Sequence, residues 1–336
     1  MLVIRLTYPR SIFIRPIALS DPTFTNSDPY LVLQDRGPDL ESLPDLSSMS
    51  WPYSIRPNFT RTSTGKYFDL KLSQGQYNSL KRLLNEFQRV MISLKLQNQW
   101  FLSAGSLIGS LRHHDVIPWD DDVDVCVDVQ YRKLIQSALK NLSSEFTTAS
   151  QLVRDKLFFK PLDESVDVNS STIGSFRIPG YTWSWPFLDI LYFQRIGSHT
   201  AREITWESID YDLTKIFPVT YRPFGGQWYP APRNPIHMLK TYYADNDVCV
   251  SAYYSHALEH AVDSETVNCS SLLDKHPFVK RCPSSVTSSR SDRLLFCDEY
   301  LVDGNGKTHH KIQTLLRSDE IDALEFTAIH EKFSCP

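Results

Sequence analysis

Between Asp122 and Asp128 the chain alternates strictly: Val123, Val125 and Val127 are interleaved with Asp122, Asp124, Cys126 and Asp128. Successive side chains leave opposite faces of an extended backbone. Such a run therefore reads as a β-strand with its valines in a core. The same geometry sends the carboxylates of Asp122 and Asp124 out of one face, two residues apart. Two like charges so placed repel unless a cation stands between them. One short strand thus constrains the fold and the chemistry together.

The residues leading into it add a second device. A β-like run at 100–104 is ended by Gly105-Ser106, and a helical pattern follows at 107–112. A strand, a Gly-Ser step and a helix leave free backbone N–H groups at a helix N-terminus, which suits phosphate oxygens. Gly105 lets the backbone approach a ligand closely. The turn 113–119 contains Pro118 and leads to Asp120, Asp121 and Asp122. Farther on, 187–193 reads as a buried apolar strand carrying one carboxylate, Asp189. A buried carboxylate needs a partner, and a metal is one candidate. Oxygen ligands near a phosphate favour Mg²⁺ or Mn²⁺ over zinc. Asp122, Asp124 and Asp189 are accordingly the expected metal ligands and catalytic residues, holding one or two ions between nucleophile and phosphoryl group. Asp120 is a candidate for orienting substrate, whereas Asp121 is expected to face water. Arg112, His113 and His114 are candidates for neutralising a diphosphate, although an Arg at a helix end is as often structural. Taken singly, Asp-x-Asp is usually a solvated turn and Gly-Ser before a helix is ordinary. The order of all the parts, with a short spacer and Trp119 beside them, gives the reading its weight.

Around this centre the periodicities predict further elements. Tyr77, Leu80, Leu83, Leu84, Phe87, Val90, Met91 and Leu94 recur at helical spacing, with Ser73 and Gln76 forming a capping-box pattern at the start. Residues 131–142 read as a helix. The segment 217–235, dense in Pro, Gly and aromatics, reads as loop, and a helix with Pro235 near its first turn follows to 243. Periodicity decays from about 262. A Ser-rich run at 284–291, a β-like run at 294–302 and a turn at 303–306 close the legible part. Residues 1–72 are irregular. The expected division is an irregular N-terminal extension (1–72), a catalytic domain (73–260) and a C-terminal extension packed on it (261–336).

Composition excludes several classes. A net charge of −4 over 336 residues offers no basic surface for nucleic acid. The apolar stretch at 1–20 is broken by Arg5, Arg10 and Arg15, so no signal peptide or membrane span is visible; an ectodomain of something longer fits equally well. Cys126, Cys249, Cys269, Cys282, Cys297 and Cys335 show no C-x-x-C pair, which speaks for buried thiols or one or two disulfides rather than zinc. Sequons at Asn58, Asn141, Asn169 and Asn268 nudge the chain toward a secretory lumen.

The run Gly105-Ser106-Leu107-Ile108-Gly109, Arg112-His113, then Ile117-Pro118-Trp119-Asp120-Asp121-Asp122-Val123-Asp124 resembles the signature of the LicD family, which includes bacterial phosphocholine transferases and the animal fukutin and fukutin-related proteins. Weaker similarity continues at Phe187-Leu188-Asp189-Ile190, at Trp228-Tyr229-Pro230 to Asn234-Pro235, and at Tyr242-Tyr243, where Ala244 stands in place of the family's Gly. The resemblance covers about 73–245. It implies an α+β, nucleotidyltransferase-like mixed sheet flanked by helices. It also implies Mg²⁺- or Mn²⁺-dependent transfer of a phospho-alcohol, phosphocholine or ribitol phosphate, from a CDP-linked donor to a glycan or glycoprotein acceptor in the Golgi lumen, with membrane anchorage left open. Gly105 and Ser106 would then grip phosphate, with Arg112 and His113 beside it. Trp228, Tyr229 and Asn234 would shape the donor or acceptor pocket. Two alternatives stay open: a non-catalytic partner in a glycan-modifying complex, and a GT-A glycosyltransferase with its own Asp-x-Asp, against which no Rossmann half is apparent upstream.

Overall fold

The computed structural model describes residues 43–52, 56, 67–163, 169–205, 209–243, 248–283, 294–317 and 334–335. Most of 1–72, the Ser-rich run at 284–291, Asn58 and Ala244 lie outside them. The alternating strand expected at 122–128 is β2 (Val123–Asp128), with β1 (Trp100–Leu102) antiparallel on one side. On its other side β7 (Phe187–Arg195) runs parallel, with Asp124 level with Asp189. Then come β4 (Arg154–Phe159) and β3 (Phe146–Ser150), both antiparallel to their neighbours. Beyond the end of β4, the last residues of β7 pair with β8 (Thr200–Glu203), which pairs β9 (Asp210–Asp212). The result is one mixed seven-stranded sheet, and the architecture is α+β.

Each face of the sheet is covered for a reason visible in the sequence. Val123, Val125 and Val127, with Leu188, Ile190 and Tyr192, face α1 (Gln74–Ser93). That helix starts where the capping box places it: Ser73 Oγ accepts from the Gln76 N–H while Gln76 Oε1 accepts from the Ser73 N–H. Its stripe from Tyr77 to Met91 is buried, and Phe87 meets Trp100 edge-on with centroids 5.2 Å apart. Phe87→Ala should therefore cost about 3–5 kcal/mol in chemical denaturation; a cost below about 1 kcal/mol would mean that α1 does not anchor this face. The opposite face carries Cys126, Leu191 and Phe193 under α2 (Ala104–Arg112) and α5 (Pro235–Tyr242). Between β7 and β2 on one side and α2 on the other, the aspartate end of this face is left open.

Two stretches depart from expectation. The helix at 131–142 is shorter, α3 (Arg132–Lys140), preceded by a single 3₁₀ turn. Residues 217–235 are not loop throughout: after the short α4 (Leu213–Ile216), β10 (Thr220–Phe224) and β11 (Gln227–Ala231) form a hairpin turned by Gly225 and Gly226, both at positive φ. Pro223 and Pro230 hid it, because proline usually breaks a strand, yet a two-stranded ribbon tolerates it at edges. The C-terminal extension is likewise ordered. β16 (Phe278–Pro283), β17 (Leu294–Val302) and β18 (Thr308–Arg317) form an antiparallel sheet, with the predicted turn at Asp303–Gly306 joining the last two.

The remaining strands are small pieces near the open end of the main sheet. β5 (Phe176–Arg177) pairs β6 (Ser184–Trp185), β12 (Val248–Val250) pairs β15 (Thr266–Asn268), and β13 (Tyr254–Ser255) pairs β14 (His260–Ala261). Disulfides Cys249–Cys269 and Cys282–Cys335 tie down these later segments, and Cys126 and Cys297 are buried thiols. Among the described residues no helix is long and apolar enough to cross a membrane.

Candidate active site

The parallel register of β2 and β7 sets Asp124 beside Asp189 on one face, and Asp122 enters the same face from two residues earlier. Ligand oxygens of Asp122, Asp124 and Asp189 all lie within 4.8 Å of one another. They form part of the floor of a cavity of about 620 Å³ whose walls include Gly105, Arg112, Asp120, Arg154 and Tyr243. The three carboxylates answer to this crowding differently. Burial, with Asp189 beside it, pushes Asp124 up to about 8. Burial and then Asp124 hold Asp122 well above the usual carboxylate range. Both groups thus attract positive charge that the protein itself does not fully supply.

Asp189 is already neutralised. Lys156 Nζ lies 2.7 Å from Oδ1, and Arg154 Nη1 lies 3.1 Å from Oδ2. Alternation along β4 brings both cations to this face. Lys156 is buried and sits 3.4 Å from the Phe187 ring centroid, whereas the Arg154 side chain keeps 29% of its surface exposed toward the cavity. Burial alone would weaken the Arg154 charge, but Asp189 more than reverses that.

The helix before the strand serves the site through its packing. A Cβ at Gly105 would stand 2.5 Å from Asp120 Oδ2, so only glycine lets the carboxylate lie against α2. Ser106 does not offer its hydroxyl to the cavity. Its buried Oγ accepts from the Asp124 N–H at 2.8 Å and so fixes α2 against the acidic strand. Arg112 lines the cavity from the far end of the helix, bonded to the Val248 carbonyl. His113 does not reach it: its ring is fully buried against Phe278 and Trp119, with Nδ1 against the Pro277 carbonyl. His114 is buried too, between Glu299 and His310.

Asp120 lines the cavity, and burial with Asp121 nearby pushes it up to about 6. Asp121, expected to face water, is buried. Its carboxylate accepts from the His256 and Ala257 N–H groups and from His256 Nδ1. His256 in turn places Nε2 3.2 Å from Asp122. Burial would lower the His256 pKa, but Asp122 and Asp121 carry it well above the ordinary value.

Three expected pocket residues stand elsewhere. Trp228 donates its indole N–H to the Pro44 carbonyl, Tyr229 donates to Asn85 Oδ1, and Asn234 caps α5 by accepting from the His237 N–H. None of them lines the cavity. Their work is structural: they pin the β10–β11 hairpin and the start of α5.

Arg154, Lys156, His256, Tyr181, Trp183 and Glu259 reach the cavity without having been singled out from the sequence. The only local signal was Lys156 beside an apolar Leu157–Phe159 run, a cation that must find an anion once buried. A search of curated proteins found no match. Residues 97–234 match the family model described as LicD/FKTN/FKRP, nucleotidyltransferase domain. The matched segment contains Gly105, Asp120, Asp122, Asp124, Arg154, Lys156 and Asp189, and ends before Tyr243 and the β13–β14 hairpin. Through residues 97–234, the segment that carries the acidic strands, the chain is similar to the LicD family.

Proposed function

We propose that the protein is a metal-dependent phosphotransferase that moves a phospho-alcohol group from a CDP-linked donor to a glycan hydroxyl. Similarity to the LicD family supports a phosphotransferase in general. The observation that carries the finer reading is the convergence of Asp122, Asp124 and Asp189 on one cavity floor. The donor set is all oxygen, and two of its carboxylates are underneutralised; a hard divalent ion, Mg²⁺ or Mn²⁺, fits both facts. When bound, such an ion supplies charge stabilisation at the transferring phosphoryl group.

The chain's own residues account for the rest. The open N–H groups at the start of α2 and the cavity-facing Arg112 and Arg154 receive phosphate oxygens. The acceptor oxygen bonds to the phosphorus that carries the alcohol, the bond from that phosphorus to the bridging oxygen breaks, and CMP leaves. Asp189 has two possible roles, ligand or general base. Lys156 and Arg154 occupy its two oxygens and hold it beside Asp124, which suits a fixed ligand. Asp120, which lines the cavity and among the described residues has no cation paired to its carboxylate, is the better acceptor for the hydroxyl proton. Two disulfides favour an oxidising compartment and hence the secretory lumen.

The test is a panel of CDP-, UDP- and GDP-linked donors scored by melting temperature with and without Mg²⁺. CDP-ribitol or CDP-choline at a hundredfold excess over Kd should raise Tm on the order of 4 °C, and only with the metal. Preference for a UDP-sugar would turn the reading toward a glycosyltransferase. No response to any nucleotide would favour a non-catalytic partner.

A further inference from the structure

The chemistry above leaves one side of the cavity without a task. The stretch between β5 and β6 contributes Tyr181 and Trp183 to it, while the β13–β14 hairpin contributes Tyr254 and Glu259. These two segments are distant in sequence, and Glu259 joins them. Trp183 Nε1 donates to its Oε1 at 2.7 Å, Tyr254 OH donates to its Oε2 at 2.9 Å, and Tyr181 OH donates to its carbonyl at 3.1 Å. The Tyr181 and Trp183 rings lie 4.7 Å apart and tilted by 56°, which makes an angled aromatic wall.

This wall adjoins the carboxylate floor. Lys156 Nζ, 2.7 Å from Asp189, is also 3.9 Å from Glu259 Oε1 and 5.3 Å from the Trp183 ring centroid. One ammonium group therefore separates the aromatics from the proposed metal ligands. At the rim the rings stay open to solvent: Tyr181 is 42% exposed and Tyr253, which also lines the cavity, is 68% exposed.

Resting on the phosphotransferase reading, the geometry points to this wall as the acceptor subsite, where the C–H face of a sugar ring stacks on Tyr181 and Tyr253. Lys156 and Glu259 stand between rings and floor as polar partners for its hydroxyls. The position selects the acceptor over the donor. A donor is small enough to lie wholly inside, with its diphosphate at the start of α2. A glycan has to leave the cavity for solvent, so its binding surface belongs at the rim. Half of the wall also comes from beyond residue 234, outside the segment matched to the family, where a choice of acceptor particular to this chain would be written.

The experiment uses the full chain, with CMP as donor-side probe and a printed glycan array as acceptor-side probe, both in Mg²⁺. The parent should retain at least one class of glycan. Tyr181→Ala and Tyr253→Ala, both at exposed positions, should weaken that glycan about tenfold each and leave CMP within about twofold. Weakened CMP with unchanged glycan binding would overturn the proposal and assign the wall to the donor base. Unchanged binding of both, or CMP bound with no glycan retained by the parent, would overturn it while the donor reading stands. A parent that binds neither probe would remove both.

Discussion

Asp124→Asn is expected to lower transfer by at least ~1,000-fold, the loss of several kcal/mol of charge stabilisation, while the metal-free protein melts no lower than the parent. The first half follows from the position of Asp124 at the centre of the oxygen cluster, level with Asp189 on the neighbouring strand. The second follows from what its side chain lacks. Among the described residues its carboxylate takes part in no hydrogen bond or ion pair, and the bond that fixes this part of the strand runs from its backbone N–H to Ser106. Asparagine keeps the shape and can carry no charge to repel Asp122 and Asp189. Asp122 is a poorer choice for the test, because its carboxylate also holds His256. Melting curves with and without Mn²⁺ supply a readout independent of turnover: the parent should gain stability from the ion, and the variant should gain little. Equal transfer by parent and variant would sink the metal assignment.

That a single strand announced this site has a physical reason. Alternation along β2 fixes which side chains share a face whatever the tertiary context, so Asp122 and Asp124 could be paired before any fold was known. Asp189 was legible because a carboxylate in an apolar run is costly without a partner. The partners were not legible. Arg154 and Lys156 sit two apart on β4 just as Asp122 and Asp124 do at the start of β2, yet nothing local says that β4 lies beside β7. His256 and Glu259 come from a short hairpin whose own pattern is too brief to read, and Asp121 looked solvated because its backbone donors arrive from 135 residues away. The late aromatic residues show the opposite error. Trp228 and Tyr229 were drawn into the pocket by resemblance, whereas each spends its polar atom on a neighbouring segment of the scaffold. The capping box of α1, a purely local device, was read to the residue.

Glu299→Gln should cost about 3–5 kcal/mol at neutral pH, because it leaves buried cations without their anion. Glu299 on β17 is fully buried; Oε2 accepts from Arg222 Nη2 at 2.7 Å and Oε1 from Arg281 Nε at 2.8 Å. The same guanidinium groups donate to the Ser110 and Leu111 carbonyls in the last turn of α2. The carboxylate thus neutralises the two cations that fasten the C-terminal sheet to the helix whose other end borders the active-site cavity. Acid should undo the arrangement. Burial holds His114 down to about 3 in the fold, so it is neutral there while the unfolded chain protonates it from its ordinary value of 6.5. Burial alone would raise Glu299, but Arg222 and Arg281 hold it well below the usual carboxylate range. Both groups bind protons more readily unfolded than folded. Their stabilisation is therefore complete above about pH 6.5 and drains away as pH falls, through His114 down to about 3 and through Glu299 below its ordinary 4.5. The gap in urea midpoint between the parent and Glu299→Gln should narrow between pH 7.5 and pH 4, a comparison in which the raised carboxylates of the cavity floor cancel. Replacing Glu299, Arg222 and Arg281 together by leucine and methionines should restore most of what Glu299→Gln loses, since an absent ion cluster costs less than a broken one. A loss below about 1 kcal/mol in the single variant would mean that water reaches the guanidinium groups and that the C-terminal sheet is held by its apolar contacts alone.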